Sequence, residues 1–148
     1  RESVEGVVAR HWQRYGRSYF QRHDYEKLDA QTAGEIMEDL RHRLEKLPGE
    51  PLASSRIARA DDFQYVDPVD GSVSTRQGIR IILEDGSRIV GRLSGTGTEG
   101  ATLRLYFERF RERGEAPLDE TLKPLVEGAR ELFHVYDRLG RRSPTVIT

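Results

Sequence analysis

The sequence predicts an α+β fold in which helices flank an antiparallel sheet. Three observations lead to this prediction. Apolar residues recur at helical spacing near both ends of the chain, and the region between them alternates apolar with polar residues or is rich in β-branched ones. An Asp-Gly step separates two of these strand-like runs, as in a tight hairpin. A length of 148 residues with 36% apolar residues suits one domain with one core.

Two helices precede the strand-rich region. The first begins near Val4, ends near Gly16 and is expected to be an entry or linker element. The second ends at Pro48 and Gly49, because these residues stop a helix. Their apolar faces are formed by Val4, Val7, Val8 and Trp12 in the first helix, and by Ala33, Ile36, Met37, Leu40, Leu44 and Leu47 in the second.

The strands are predicted from alternation and β-branching. The segment 19–26 has weak strand character, and the Pro- and Ser-containing segment 47–55 is interpreted as a connection. Clearer strands cover 57–66, 78–83, 87–93 and 101–107, with turn chemistry at 67–72 and the Asp-Gly hairpin at 84–86.

A third helix follows the last strand. Pro124 lies inside it, so a cap at Thr121 or a near neighbour is required at its start. Gly140 is expected to end it, and the tail 144–148 is expected to be short and extended. The apolar stripe consists of Leu122, Leu125, Val126, Ala129, Leu132, Phe133, Tyr136 and Leu139.

Composition excludes several classes of protein and site. Without cysteine there are no disulfides, thiolate metal sites or cysteine nucleophiles, which fits a cytoplasmic location. No apolar run exceeds three residues, so no transmembrane helix or signal peptide is expected. The 24 basic and 25 acidic residues leave a net charge of -1, which argues against nucleic acid or a membrane as partner. The chain starts at Arg1 rather than Met, and we expect a longer protein around it.

The glycine-rich segment between the last two strands is the candidate binding site. Successive backbone N–H groups can converge on an anion there, because glycine permits close approach, and Ser94 and Thr96 add hydroxyl donors. By strand parity Arg92 and Arg104 both leave the core face and flank the loop, where their guanidinium groups would meet one phosphate dianion. The alternative is a glycine-rich hairpin loop whose arginines are merely solvated.

Other patterns do not define a second site. The match to G-x-G-x-x-G at 95–100 is not a dinucleotide fingerprint, because a strand rather than a helix follows it, and the Gly-Lys-Ser/Thr of a Walker loop is missing. Arg141 and Arg142 are interpreted as complementing a helix dipole. No catalytic constellation can be defined from spacing. The histidines lack metal-ligand spacing and are interpreted as surface or boundary residues: His11, His23, His42 and His134. The aspartates Asp61, Asp62, Asp67 and Asp70 are interpreted as turn formers rather than as a cation site.

Around this loop the sequence closely resembles the C-terminal domain of the α-phosphoglucomutases, within the α-D-phosphohexomutase superfamily. The matching segments are DGSRIV at 85–90, RLSGTG at 92–97 and GATLRLY at 100–106, together with HWQRYGR at 11–17, DPVDGS at 67–72 and PTVIT at 144–148. The loop form RLSGTGT, where phosphomannomutase-type and phosphoglucosamine-type enzymes usually have RPSGTEP, favours glucose as the sugar. Departures from the family pattern occur at Gly91, at Thr98 and across 111–120.

The resemblance implies the fourth domain of a four-domain enzyme with a TATA-binding-protein-like β-α-β4-α fold. Such an enzyme interconverts glucose 1-phosphate and glucose 6-phosphate through a phosphoserine and glucose 1,6-bisphosphate. The loop would hold the phosphate that is not being transferred. Carried over to this sequence, the contacts fall on Arg92, Ser94, Thr96 and Arg104, with Gly95 and Gly97 giving backbone access.

The resemblance also predicts what this chain needs from elsewhere. It implies a linker helix at 1–17 from a preceding domain and the phosphate-binding domain at 18–148. The family's phosphoserine, magnesium and sugar-binding loops do not occur in the sequence, so no catalytic residue and no metal ligand is expected here. Mg²⁺, glucose 1,6-bisphosphate and three upstream domains are implied for the full-length enzyme. Two alternatives stay open, a non-catalytic phosphoglucomutase-like structural protein and a stand-alone module that binds phospholigands or nucleic acid.

Overall fold

The fold is a seven-stranded antiparallel sheet with helices, seen in a computed structural model that describes residues 2–95, 100–114 and 116–148. The helices are α1 (Val4–Tyr15), α2 (Ala30–Arg43, extended by a 3-10 turn at Leu44–Lys46) and α3 (Leu118–Leu132). The strands are β1 (Arg17–Leu28), β2 (Pro51–Leu52), β3 (Ser55–Val66), β4 (Val73–Leu83), β5 (Arg88–Ser94), β6 (Ala101–Arg111) and β7 (Val146–Ile147).

The strand order in the sheet is β2-β3-β4-β5-β6-β1-β7. Apart from the two-residue edge strands β2 and β7, the elements from β1 to α3 follow the order β-α-β4-α. The α+β prediction and this order are therefore confirmed. The Asp-Gly hairpin is confirmed as well, because β4 and β5 pair antiparallel across it.

One face of the sheet forms the core and the other stays open. Residues of α2 and α3 cover the core face, and alternate strand residues meet them there. Arg92, Arg104 and their same-parity neighbours lie on the opposite face, called the open face below. The core is built from Ala33, Ile36, Met37 and Leu40 of α2, Leu122, Leu125 and Ala129 of α3, and strand residues including Tyr19, Tyr25, Ile79, Ile81, Ile89, Leu103, Leu105 and Phe107.

The start of α3 differs from the predicted capping at Thr121. The helix begins at Leu118 after Pro117, which makes no side-chain cap. Thr121 lies inside the first turn, where its backbone N–H and its hydroxyl both donate to the Pro117 carbonyl. Pro124 is therefore in the helix interior, and its missing N–H cannot pair with the carbonyl one turn earlier.

The end of α3 also differs from the prediction of one long helix up to Gly140. The helix stops at Leu132, because His134 adopts a left-handed conformation with φ 50°. Phe133 packs at this break against Gly91, where a Cβ atom would lie 2.2 Å from the ring. Gly140 closes a separate turn, in which it donates to the Tyr136 carbonyl.

Several strands are longer than predicted. β4 starts at Val73 instead of Gly78, because β3 and β4 continue pairing beyond an irregularity near Phe63 and Tyr65. β2 lies inside the predicted connection, and β7 is a strand within the predicted extended tail, where it pairs with β1. In the described part of the chain, no helix has the length and apolarity that crossing a bilayer requires.

Candidate functional site

The candidate loop connects β5 to β6, and the structure describes its two ends. The last cross-strand pair before it is Ser94 with Thr102. Gly95 and Gly100 have φ values of 76° and 90°, which glycine adopts without strain. A Cβ atom on Gly100 would lie 2.7 Å from the Leu28 carbonyl oxygen of β1, so this end of the loop requires glycine for space as well. The predicted site residues Thr96 and Gly97 lie outside the described residues.

The two predicted arginines lie directly opposite each other. Arg92 of β5 and Arg104 of β6 are cross-strand partners, and both project from the open face. Leu93, Leu103 and Leu105 point to the other side, as strand parity predicts. The two arginines therefore occupy adjacent positions on the same face, two residue pairs away from the Ser94–Thr102 pair, at the end of the sheet where the loop begins. Ser94 has the same parity as Arg92 and lies on the same face.

A buried carboxylate that sequence reasoning missed lies beside Arg104. Asp24 of β1 is the cross-strand partner of Arg104, and its side chain is only 5% exposed. Its Oδ2 lies 3.6 Å from Nε of Arg104, and its Oδ1 lies 3.1 Å from Nε of Arg22. The open face thus carries a row across three strands, Arg92, Arg104 and Asp24. No local signal shows this, because the pairing of β1 with β6 joins segments that are distant in the sequence.

Arg92 has a different kind of support, also missed from the sequence. A Cβ atom on Gly78 of β4 would lie 2.7 Å from Cγ of Arg92 and 2.9 Å from the Gly91 carbonyl oxygen. Gly78 therefore makes the space through which the Arg92 side chain passes. Its guanidinium donates to Oε1 of Gln77 at 3.3 Å. Within the described ranges, no carboxylate lies at ion-pair distance from Arg92.

A cleft of about 550 Å³ extends along the open face from Arg92. Two other arginines in its wall are already paired. Arg80 donates two hydrogen bonds to Asp61, and these bonds lower the pKa of that carboxyl group despite its partial burial. Arg88 forms an ion pair with Glu108. The apolar part of the wall consists of Phe20, Phe63, Tyr65, Val90 and Tyr106.

The weaker candidates from the sequence have structural explanations. Asp67 and Asp70 accept backbone N–H groups inside their turn, which confirms them as turn formers. Asp61 and Asp62 lie within β3 instead and form ion pairs with arginines, so their interpretation as turn formers is wrong. In the part of the chain that the structure describes, no group of three His, Asp or Glu side chains is placed to hold a metal ion.

Arg141 does not complement a helix dipole as predicted. Its Nη2 donates to the carbonyl oxygens of Glu26 and Lys27, at 3.0 and 2.8 Å. These two carbonyls lie at the irregularity where β1 shifts register against β6. The bulge leaves carbonyl groups outside the regular ladder, and the arginine satisfies them. Arg141 therefore stabilises the strand end that Gly100 crosses.

Comparison with known proteins agrees with this fold. Residues 17–145 match the family model "Phosphoglucomutase-1, C-terminal domain". The chain is similar to the phosphoglucomutase of Rhizobium radiobacter, with 48% identity over all of this chain and 28% of that protein. It is 46% identical to a cytoplasmic phosphoglucomutase of Pisum sativum and 42% identical to phosphoglucomutase-1 of Homo sapiens, over 99% and 100% of this chain and 27% and 28% of those proteins.

The same similarity holds in three dimensions. A crystal structure of the Paramecium exocytosis-sensitive phosphoprotein parafusin, a phosphoglucomutase in its open form, superposes with a TM-score of 0.85 at 40% identity. The superposition covers 99% of this chain and 25% of that one. The chain thus spans about a quarter of the length of its relatives. On its sequence and its fold, it belongs to the phosphoglucomutase-1 C-terminal domain family.

Proposed function

We propose that this chain is the substrate-phosphate-binding domain of a phosphoglucomutase. In this proposal the whole enzyme interconverts glucose 1-phosphate and glucose 6-phosphate through a phosphoserine and glucose 1,6-bisphosphate. The observation that supports it most is the Arg92–Arg104 cross-strand pair at the mouth of a glycine-rich loop, in a chain of the phosphoglucomutase family. Two neighbouring guanidinium groups repel each other, and a dianion between them relieves that repulsion.

The proposed ligand set joins side chains and backbone. The two arginines supply charged donors and Ser94 supplies a hydroxyl group. Each charge-assisted hydrogen bond to phosphate contributes about 1.5 to 3 kcal/mol, so a few of them suffice to hold a phosphorylated sugar. The complete set is Arg92, Ser94, Gly95, Thr96, Gly97 and Arg104.

The position of this site suits a mutase. An enzyme that phosphorylates both ends of one sugar has to hold either phosphate while the opposite hydroxyl faces the phosphoserine. Hydrogen-bond donors fixed on a sheet can bind the substrate in both of its orientations, because they contact only its phosphate group. Movement of the domain toward the rest of the enzyme would then exclude water from the transfer.

Other parts of the reaction are assigned to the remainder of the protein. Mg²⁺ does not fit the described residues of this chain, since they bring no metal-ligand group together. The proposed partners are the glucose phosphate substrate and the three upstream domains, which would begin across the linker helix at 1–17. A cytoplasmic location is proposed from the names of relatives such as the pea protein.

The site can be tested with the 148-residue chain and inorganic phosphate by ¹H–¹⁵N NMR. We expect saturable shifts confined to residues 92–104. Arg92→Gln or Arg104→Gln is expected to weaken binding roughly tenfold or more, because each removes a charged donor. Arg88→Gln is the matched control, since Arg88 lies on β5 and the open face but is paired with Glu108.

Two outcomes would contradict the proposal. A broad response over the surface that disappears with added salt would favour a nucleic-acid-binding module instead. Equal weakening by Arg88→Gln and Arg104→Gln would show that phosphate responds to general positive charge rather than to the loop.

A further inference from the structure

The row of charges that crosses three strands is not explained by phosphate contacts alone. Asp24 is buried on the same face as two proposed phosphate ligands, where a carboxylate repels an anion. Its closest charged neighbours are the Nε atoms of Arg22 and Arg104, at 3.1 and 3.6 Å. Because the Asp24 carboxylate repels an anion yet lies within the proposed site, it must have a function other than contacting the phosphate.

Asp24 is held firmly by the sheet. Its strand pairs with β6 on one side and with β7 on the other. Its own carbonyl accepts a hydrogen bond from the Thr145 N–H at 2.7 Å. The carboxylate therefore projects from a strand that is paired on both sides, so its backbone position is fixed while the longer arginine side chains around it can move.

Arg104 is divided between a buried and an exposed part. Its side chain is 43% exposed, but its Nε is buried and has no hydrogen-bond partner among the described residues. Asp24 supplies the nearby negative charge on that buried side. The Nη groups at the far end of the guanidinium are then left for a ligand. An arginine without such an anchor has many rotamers to lose when it binds.

We propose that Asp24 is a positioning residue that holds Arg104 in its phosphate-binding orientation, an inference that rests on the proposed phosphate site. The carboxylate neutralises one of three guanidinium charges, those of Arg22, Arg92 and Arg104, and leaves an excess of positive charge for the ligand. Its own repulsion of phosphate is offset because Arg104 is ordered before the ligand arrives.

Charge and positioning predict opposite results for Asp24→Asn. The substitution adds one unit of net positive charge to the site, so charge alone predicts tighter phosphate binding. Positioning predicts weaker binding, by about tenfold, within the range measured for side chains that share one ion-pair network. The measurement is the NMR titration of the chain with inorganic phosphate, with the Nε–Hε signal of Arg104 as a second readout. In the wild type that signal is expected to exchange slowly with water, and in Asp24→Asn rapidly.

Glu108→Gln is the matched control. It removes a carboxylate from the same open face and breaks the pair with Arg88, but Glu108 lies four residues along β6 from Arg104. It is expected to leave phosphate affinity within about twofold and the Arg104 signal unchanged. In an Arg104→Ala background, Asp24→Asn is expected to cause no further weakening, because the residue it positions is gone.

Asp24→Glu keeps the experiment decisive if Asp24→Asn does not fold. It retains the charge and moves the carboxylate by one methylene. Positioning therefore predicts weaker phosphate binding, whereas charge alone predicts no change in affinity. Unchanged or tighter binding in a folded Asp24 variant would overturn the role of Asp24 while the phosphate site stands. A wild-type chain that shows no saturable shifts at 92–104 would overturn the phosphate site, and the inference with it.

Discussion

At the scale of single residues, the sequence predicted which face of the sheet each site arginine lies on, but it did not predict the residues that contact those arginines. Arg92 and Arg104 could be assigned to the open face because parity along a strand is a local property. Asp24 and Gly78 could not be found, because each acts through a strand pairing that no short segment encodes. The prediction that His23 lies at the surface or boundary is wrong, because the residue is buried on β1 and only 5% exposed. The predicted aspartate roles divide in the same way. The turn aspartates bond to their own neighbours and were predicted correctly, whereas Asp61 and Asp62 bond to arginines on other elements.

Gly78→Ala tests whether space at β4 determines the conformation of Arg92. The added Cβ would lie 2.7 Å from Cγ of Arg92, so either the side chain or the β4–β5 spacing has to shift. We expect a loss of stability of about 1 to 3 kcal/mol from overpacking and a severalfold loss of phosphate affinity. Urea denaturation and the phosphate titration measure the two effects.

Gly86→Ala is the control for backbone strain. Gly86 has φ 80° in the adjoining hairpin, but nothing lies within 4 Å of a Cβ there. This variant is expected to lose stability and to keep its phosphate affinity. If Gly78→Ala also kept its affinity, space at Gly78 would have no bearing on Arg92.

At the scale of elements, local chemistry predicted turns and most strands, and tertiary contacts decided the ends. The Asp-Gly turn between β4 and β5 is determined by its own two residues. The end of α3 falls where His134 turns left-handed and Phe133 packs on Gly91, which the apolar stripe cannot show. The edge strands β2 and β7 have two residues each and exist because neighbouring strands offer free backbone groups.

The contact between β1 and α3 makes stability depend on pH through His23. Its ring is buried with its edge toward Phe107, and Nε2 lies 2.9 Å from Oε1 of Gln21. Burial and the charge of Arg130 lower its pKa below the ordinary 6.5, against the opposite effects of Asp119 and Asp24. The unfolded chain therefore takes up a proton at a higher pH than the folded chain. The contribution of neutral His23 to stability is complete above the unfolded pKa and is lost as pH falls toward the folded one.

His23→Gln is expected to flatten this dependence. Urea unfolding between about pH 5 and pH 7.5 should show the free energy of unfolding falling with acid in the wild type and less steeply in the variant. His42→Gln, on the exposed side of α2, should keep the wild-type slope. Parallel slopes for wild type and His23→Gln would show that another group causes the dependence.

At the scale of the whole molecule, the chain spans about a quarter of the length of its relatives. Composition and periodicity predicted the fold class, and the resemblance carried by segments at 11–17, 67–72, 85–106 and 144–148 predicted the family. The division into a linker at 1–17 and a domain at 18–148 stays a prediction. Helix α1 has no buried residue, so its packing does not by itself show whether it belongs to the domain or to a linker.

Kinetics of the full-length protein test the role of the domain in turnover. Arg104→Ala is expected to raise KM strongly for glucose 1-phosphate and to lower kcat/KM, because the phosphate is held in both the ground state and the transition state. Arg88→Ala should leave both constants near wild type. The 148-residue chain alone is expected to show no turnover, and measurable mutase activity from it would contradict the assignment of the chemistry to other domains.

The alignment of Arg92, Arg104 and Asp24 across three strands has a consequence for how the chain folds. A slip of β1 by one residue against β6 would place His23 or Tyr25 opposite Arg104, and it would turn Asp24 toward the hydrophobic core. A misaligned sheet would then lose the counterion together with the arrangement of donors. Phosphate that binds only the native alignment would stabilise it by mass action, so the ligand would select the correctly paired sheet as the protein matures.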